Sequence, residues 1–345
     1  MSSFDPDRAA APDSGAFGLD DTPESAGVHL FGVPVEATTS YRRGTRNAPL
    51  AILEASRQVD LEDLLTGRPY EAGIYWHEPL ARLAEIEREA SEWALPVIEA
   101  GGLDAALELA DRVERVDLLL DEMNGLVYEH AQRALATGKL FGLVGGDHST
   151  PLGAIRAHAE AHAGLGILHV DAHLDLRDAY EGFRNSHASI LKNVLATTDV
   201  AHCVSVGIRD VGASELELFD SLGPRMSAVF AHDWARARGR ARLESLVQRA
   251  IEPLPQKVYV TFDVDGLDPT LCPNTGTPVP GGLLWDEAND LLAALVASGR
   301  EIVGFDLVEV APENGRDPGC GWDEIVGARL LYRLAGFALM SRERA

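Results

Sequence analysis

Four short segments carry residues that could do chemistry together. They are Gly145-Gly146-Asp147-His148-Ser149, Asp171-Ala172-His173-Leu174-Asp175, Asp263-Val264-Asp265 and Glu309. Each follows an apolar run of strand length: LFGLV, GILHV, VYVTF and IVGFDLV. Asp171, His173 and Asp175 alternate with period two, so an extended chain projects them to one side. Asp263 and Asp265 share that spacing. These aspartates, with His148 and His173, would repel one another on one edge without cations. Two divalent ions would balance them. The donors are all nitrogen and oxygen, which suits Mn2+, Co2+, Ni2+ or Fe2+ rather than a thiolate-bound metal.

Each piece alone has an ordinary reading. A lone D-x-D after a strand is usually turn chemistry, and a lone histidine is usually a structural hydrogen bonder. His29, His77, His130, His158, His162, His169, His202 and His232 are read in that structural way. Gly145-Gly146 opens neither a G-x-G-x-x-G nor a Walker pattern, so no phosphate loop is expected. Asp-x-His-x-Asp, in company with GGDH and DVD, points instead to metal.

The elements that must position these residues alternate. From Lys139 onward, apolar runs at 140–146, 164–173, 202–210, 227–233, 257–265 and 301–310 are strands. Helices are expected near 151–162, 187–196, 213–221, 236–251, 285–298 and 322–336. Such alternation means a parallel sheet covered by helices on both faces, with functional residues at the carboxyl ends of strands. Strands buried on both faces read as near-continuous apolar runs, as these do. Before them come a first strand at 29–35, the loop TTSYRRGTRNAP and a helix near 50–57. Residues 79–136 have the pattern of two or three amphipathic helices, broken near Pro96 and Gly101-Gly102. Residues 1–26 are rich in Asp, Pro, Ser and Gly and are expected to form a flexible arm. One domain is expected over 27–340, with a helical insertion at about 79–113.

Composition bounds the function. The 345 residues include 30 basic and 54 acidic side chains, a net charge of −24. That argues against nucleic acid as partner and is compatible with metals or a cationic substrate. Three cysteines (Cys203, Cys272 and Cys320) without C-x-x-C spacing argue against disulfides and a thiolate zinc site. No apolar run would span a membrane, and the first residues lack the pattern of a signal peptide, so a soluble cytoplasmic protein is expected.

GGDHS (145–149), DAHLD (171–175), SHAS (186–189), TFDVDGLDP (261–269), NTGTPVPGG (274–282) and Glu309 together resemble the ureohydrolases, the family of arginase and agmatinase. The YRRGTRNAP loop is similar as well, and the resemblance covers roughly 27–340. It implies a three-layer αβα arginase-like fold with a mainly parallel eight-stranded sheet. It also implies one metal held by His148, Asp171, Asp175 and Asp263, and a second by Asp171, His173, Asp263 and Asp265. A water or hydroxide bridging them would attack the guanidinium carbon and release urea and an amine. Mn2+ is the family's usual ion, with Ni2+ in some members. By the same resemblance Glu309 grips the guanidinium, His187 relays a proton to the leaving amine, and Asp265 joins them at the reacting centre. A homo-oligomer, trimer or hexamer, is implied too.

For the substrate, RDAYEGFRNSHAS (177–189) lacks the arginase-type segment that holds an α-amino acid and looks like agmatinase-type sequences. Agmatine is the first expectation and free guanidine, with nickel, the second. A guanidino acid such as guanidinobutyrate is the third, for which an inward Arg184 would serve. Tyr41, Trp76 and Trp285 are bulky residues that could narrow the pocket. A competing class is a deacetylase-like amide hydrolase or metal-binding regulatory subunit on the same fold, with one zinc.

Overall fold

The apolar runs become strands of a single sheet in the computed structural model, which describes residues 5–238, 242–313 and 315–344. The strands are β1 (Val28–Val33), β2 (Ile74–Trp76), β3 (Leu140–Gly145), β4 (Gly166–Val170), β5 (His202–Val206), β6 (Met226–Val229), β7 (Lys257–Asp263) and β8 (Glu301–Val308). Their order is β2-β1-β3-β8-β7-β4-β5-β6, and every pairing is parallel. Alternate residues face opposite layers, as the pleat requires. On β1, Val28 and Leu30 enter one core, and Phe31 and Val33 enter the other.

Helices cover both faces. α1 (Ala48–Ser56), α7 (Ala231–Ala237), α8 (Arg242–Ile251), α9 (Trp285–Ala297) and α10 (Trp322–Arg344) pack on the first core. α2 (Ala81–Glu99), α3 (Ala110–Ala136), α4 (Leu152–Ala161), α5 (Ile190–Thr197) and α6 (Ala213–Leu222) pack on the second. The three-layer αβα architecture is therefore as the sequence implies, with an entirely parallel sheet among the described residues.

Several local expectations are corrected. β2 is an edge strand of three residues, too short to carry a periodic signal. Pro96 does not break a helix: it lies inside α2, near its end. Glu92, whose carbonyl loses its partner there, is on the exposed side, so water can replace the bond. The helix expected over 236–251 is two elements, α7 and α8, and residues 239–241 lie outside the described residues. α10 continues to Arg344 rather than ending near 336.

The N-terminal segment is not a free arm where it is described. Ala16, Phe17 and Leu19 are buried in the first core. The Phe17 ring centroid lies 4.8 Å from that of Tyr332, and the Phe17 N–H donates to Ser56 Oγ at 2.9 Å. A buried aromatic anchors the segment despite its polar composition. Residues 1–4 lie outside the described residues.

Candidate metal centre

The strand order makes β3, β8, β7 and β4 neighbours. Their carboxyl ends bring together His148, Glu309, Asp263 and Asp171. The turn after β3 needs glycine at 146, because a Cβ there would lie 2.0 Å from the Val35 carbonyl oxygen. Asp147 then accepts from the Ser149 N–H at 3.0 Å, which tightens the turn that presents His148. Among the described residues, Asp175 and Glu309 are two of four non-glycine residues with positive φ, at 53° and 62°. Such backbone strain concentrates at functional sites.

His148 Nδ1 lies 3.0 Å from Asp171 Oδ2, 3.2 Å from Asp175 Oδ2 and 3.3 Å from Asp263 Oδ2. All four side chains are buried, and Nδ1 has no hydrogen-bond partner. A buried nitrogen facing three carboxylate oxygens is a donor set suited to a divalent cation. A second group lies beside it. His173 Nδ1 is 3.1 Å from Asp265 Oδ2 and 3.4 Å from Asp171 Oδ1. Asp171 thus offers one oxygen to each group. The backbone fixes the other carboxylates: Asp263 Oδ1 accepts from the Asp265 N–H at 2.7 Å, and Asp265 Oδ1 accepts from the Ala172 N–H at 3.0 Å.

The electrostatics of this cluster pull in opposite directions. Burial, reinforced by Asp171, pushes the Asp175 carboxyl up to about 6. Burial and Asp265 push Asp263 well above the usual carboxylate range. Against the effect of burial, Asp265 and Asp171 push His173 up to about 12. Mutually perturbed acids and bases in one cleft mark a functional site, and a cation would relieve the carboxylates.

His187 opens the 3₁₀ turn His187–Ser189 and lines the cleft. Its N–H donates to Thr38 Oγ1 at 3.2 Å, and its Nδ1 is 3.3 Å from the same oxygen. Thr38 Oγ1 donates to Asp147 Oδ2 at 3.2 Å. Burial, with the nearby His173 and His148, lowers the His187 imidazole to about 4. Glu309 is buried beside His148. Its Oε1 accepts from the His148 N–H at 2.9 Å, and burial and Asp147 raise its carboxyl well above the usual range.

Two contributors escaped the sequence reading. His169 is not a remote structural histidine: its Nε2 lies 2.8 Å from Asp171 Oδ2, and its Nδ1 lies 3.0 Å from Ser205 Oγ. The signal was present, since His169 extends the period-two series of Asp171, His173 and Asp175 by one step along β4. Thr38 had no comparable signal, and its partners Asp147 and His187 are 109 and 149 residues away.

The Arginase family model matches residues 26–336. This chain belongs to the arginase family. N(1)-aminopropylagmatine ureohydrolase of Thermus thermophilus is 34% identical over 324 residues, 93% of each chain. Agmatinase of Bacillus anthracis is 31% identical over 294 residues, 84% of this chain and 85% of that one. The crystal structure of the agmatine ureohydrolase of Thermoplasma volcanium superposes with a TM-score of 0.71 at 24% identity, covering 94% of this chain and 93% of that one, which shows the shared fold.

The cleft of this arginase-family hydrolase has a volume of about 340 Å3. Tyr41, Tyr180, Arg177 and Asp210 are on its walls. The Arg177 guanidinium lies 4.9 Å over the Tyr180 ring and 3.6 Å from Glu215 Oε2. Arg184 does not point inward: its Nη2 donates to Asp121 Oδ2 on α3 at 2.8 Å. Of the three bulky residues, only Tyr41 reaches this cleft. Trp76 packs beside Gly32 on β1, and Trp285 lies under Arg333 at 5.2 Å. No helix among the described residues is long and apolar enough to cross a membrane.

Proposed function

We propose that this chain is a dinuclear-metal ureohydrolase that releases urea from a guanidino compound carrying a second positive charge, with agmatine the first choice. The observation that carries this reading is the pair of donor groups around His148 and His173, joined by the two oxygens of Asp171. One ion would be held by His148, Asp171, Asp175 and Asp263, and the other by Asp171, His173, Asp263 and Asp265. Bound divalent ions, Mn2+ by preference or Ni2+, supply the charge that ionises a water near neutral pH.

The chain's own side chains do the rest. Glu309 offers a carboxylate, whose geometry matches a planar guanidinium. His187 is neutral at pH 7. With Asp147 ionised, the Thr38 hydroxyl gives its proton to Asp147, so His187 Nδ1 keeps its hydrogen and Nε2 is bare. That atom would take a proton and return it to the leaving amine.

The rim favours a cationic tail. Asp210 is exposed and has no side-chain partner among the described residues, whereas Arg177 is balanced by Glu215. Both curated relatives above bear the names of enzymes for agmatine-type substrates, in agreement with this. The guanidino-acid reading loses its inward arginine, because Arg184 is paired with Asp121 of α3. Free guanidine would leave most of the cleft to water. A homo-oligomer is in keeping with the exposed Leu64, Leu65 and Trp322.

The test is urea release by metal-loaded protein from agmatine, aminopropylagmatine, guanidine, 4-guanidinobutyrate and arginine, with metal counted per chain. Two metals and preference for the agmatine pair support the reading. Silence on all five, or a single zinc per chain, overturns it.

A further inference from the structure

Behind the metal-facing side chains runs a hydrogen-bonded file that ends on a carboxylate with no cation of its own. His148 Nε2 lies 2.9 Å from Thr261 Oγ1, on the side of the ring away from the carboxylates. Thr261 Oγ1 donates to Asp306 Oδ1 at 2.9 Å. Thr261 on β7 and Asp306 on β8 are direct partners in the sheet register. His148, Thr261 and Asp306 are all buried.

Asp306 is an expensive residue in this place. No lysine or arginine pairs with it among the described residues. Oδ1 also receives a long bond from the Phe262 N–H, at 3.4 Å. Oδ2 makes no hydrogen bond of normal geometry, although Tyr259 is beside it. A buried carboxylate without a cationic partner destabilises a fold. It is also superfluous as a tie between strands, because β7 and β8 are already joined by backbone pairing on both sides of Thr261.

The hydrogen count gives the file a direction. A cation on His148 Nδ1 requires that nitrogen bare, so the ring hydrogen is on Nε2 and is donated to Thr261. A hydroxyl has one hydrogen, which must then go to Asp306. The partial positive charge that a bound cation would induce on the neutral imidazole is thereby answered, through one hydroxyl, by the Asp306 carboxylate.

We propose that Asp306, acting through Thr261, is a positioning residue that holds His148 in its metal-binding tautomer, and that its buried charge serves metal retention at the expense of fold stability. The inference rests on the metal-centre reading above. Partners of a ligating histidine typically change metal affinity by about 10- to 100-fold.

The experiment uses the full chain with Asp306→Asn, Thr261→Val and Thr261→Ser. Mn2+ dissociation constants are measured by equilibrium dialysis, and melting temperatures are measured on metal-free protein at pH 8. Expected are Mn2+ affinities about 10- to 100-fold weaker in Asp306→Asn and Thr261→Val, and wild-type affinity in Thr261→Ser. Metal-free Asp306→Asn is expected to melt no lower than wild type. A purely structural Asp306 gives the opposite pattern, a lower melting temperature with unchanged Mn2+ affinity, and that result overturns the inference. If Thr261→Val binds Mn2+ as tightly as wild type, the inference fails even should Asp306→Asn not fold. Failure of the underlying metal-centre reading shows separately, as a wild-type chain that retains no Mn2+.

Discussion

Asp263 faces His148 with one oxygen and holds the Asp265 backbone with the other. Asp263→Ala should therefore abolish urea release and lower the metal content per chain, checked by elemental analysis of the dialysed protein. His187→Asn should lower kcat by about 10²- to 10⁴-fold with a smaller change in KM, as for loss of a positioned proton carrier. His158 gives a pH test away from the site. Its imidazole is fully buried and lowered by that burial to about 4 from an ordinary 6.5. Between those values the unfolded chain binds the extra proton, so this residue's contribution to stability falls as pH falls through the window. Urea midpoints of wild type and His158→Gln should converge as pH drops from 6.5 to 4. No single strand displays the period-two aspartates and histidines, since β4 ends at Val170, Asp175 has a left-handed φ of 53° and Asp265 lies in a 3₁₀ turn. They were legible in the sequence from their spacing. Thr38 and Thr261 were not, because a threonine becomes part of a site only through its partners. Those partners, Asp147 and Asp306, are 109 and 45 residues away.

Helices α2 and α3 brace the segments that line the cleft. Glu87 on α2 accepts from the Glu36 N–H at 2.8 Å and receives Arg43 and Arg46, which also pair with buried Glu36. The loop so held carries Thr38 and Tyr41. On α3, Asp117 accepts from the Asn185 N–H at 3.0 Å, and Asp121 accepts from Asn185 Nδ2 at 2.9 Å. That pair steadies the segment leading to His187. Glu87→Ala strands the Glu36 N–H, a cost of about 1–3 kcal/mol. It should raise KM while leaving the metal count unchanged, measured by steady-state kinetics and elemental analysis. At this scale the long helices and seven of the eight strands among the described residues were readable from the sequence. β2 was not, since three residues contain no period, and neither was the packing of α2 on the loop, which depends on charge pairs made across 40 or more residues.

Over the whole molecule, the charge of −24 makes a field that attracts cationic substrates. For agmatine, kcat/KM should fall as salt rises from about 50 to 500 mM, where screening becomes short-ranged, while kcat stays flat. For guanidinobutyrate the slope should be shallower. Stopped-assay kinetics over a salt series checks both. The sheet order holds a different consequence. β8, the last strand in the chain, lies in the middle of the sheet between β3 and β7. A chain emerging from the ribosome N-terminus first can build only two separate ribbons before then, β2-β1-β3 and β7-β4-β5-β6, each with a raw edge open to mispairing. His148 travels with the first ribbon, and Asp171 and Asp263 travel with the second. An ion shared by His148 and the second ribbon would have to wait until residues 301–308 enter between them, so at that position a metal would close the assembly as a rivet does.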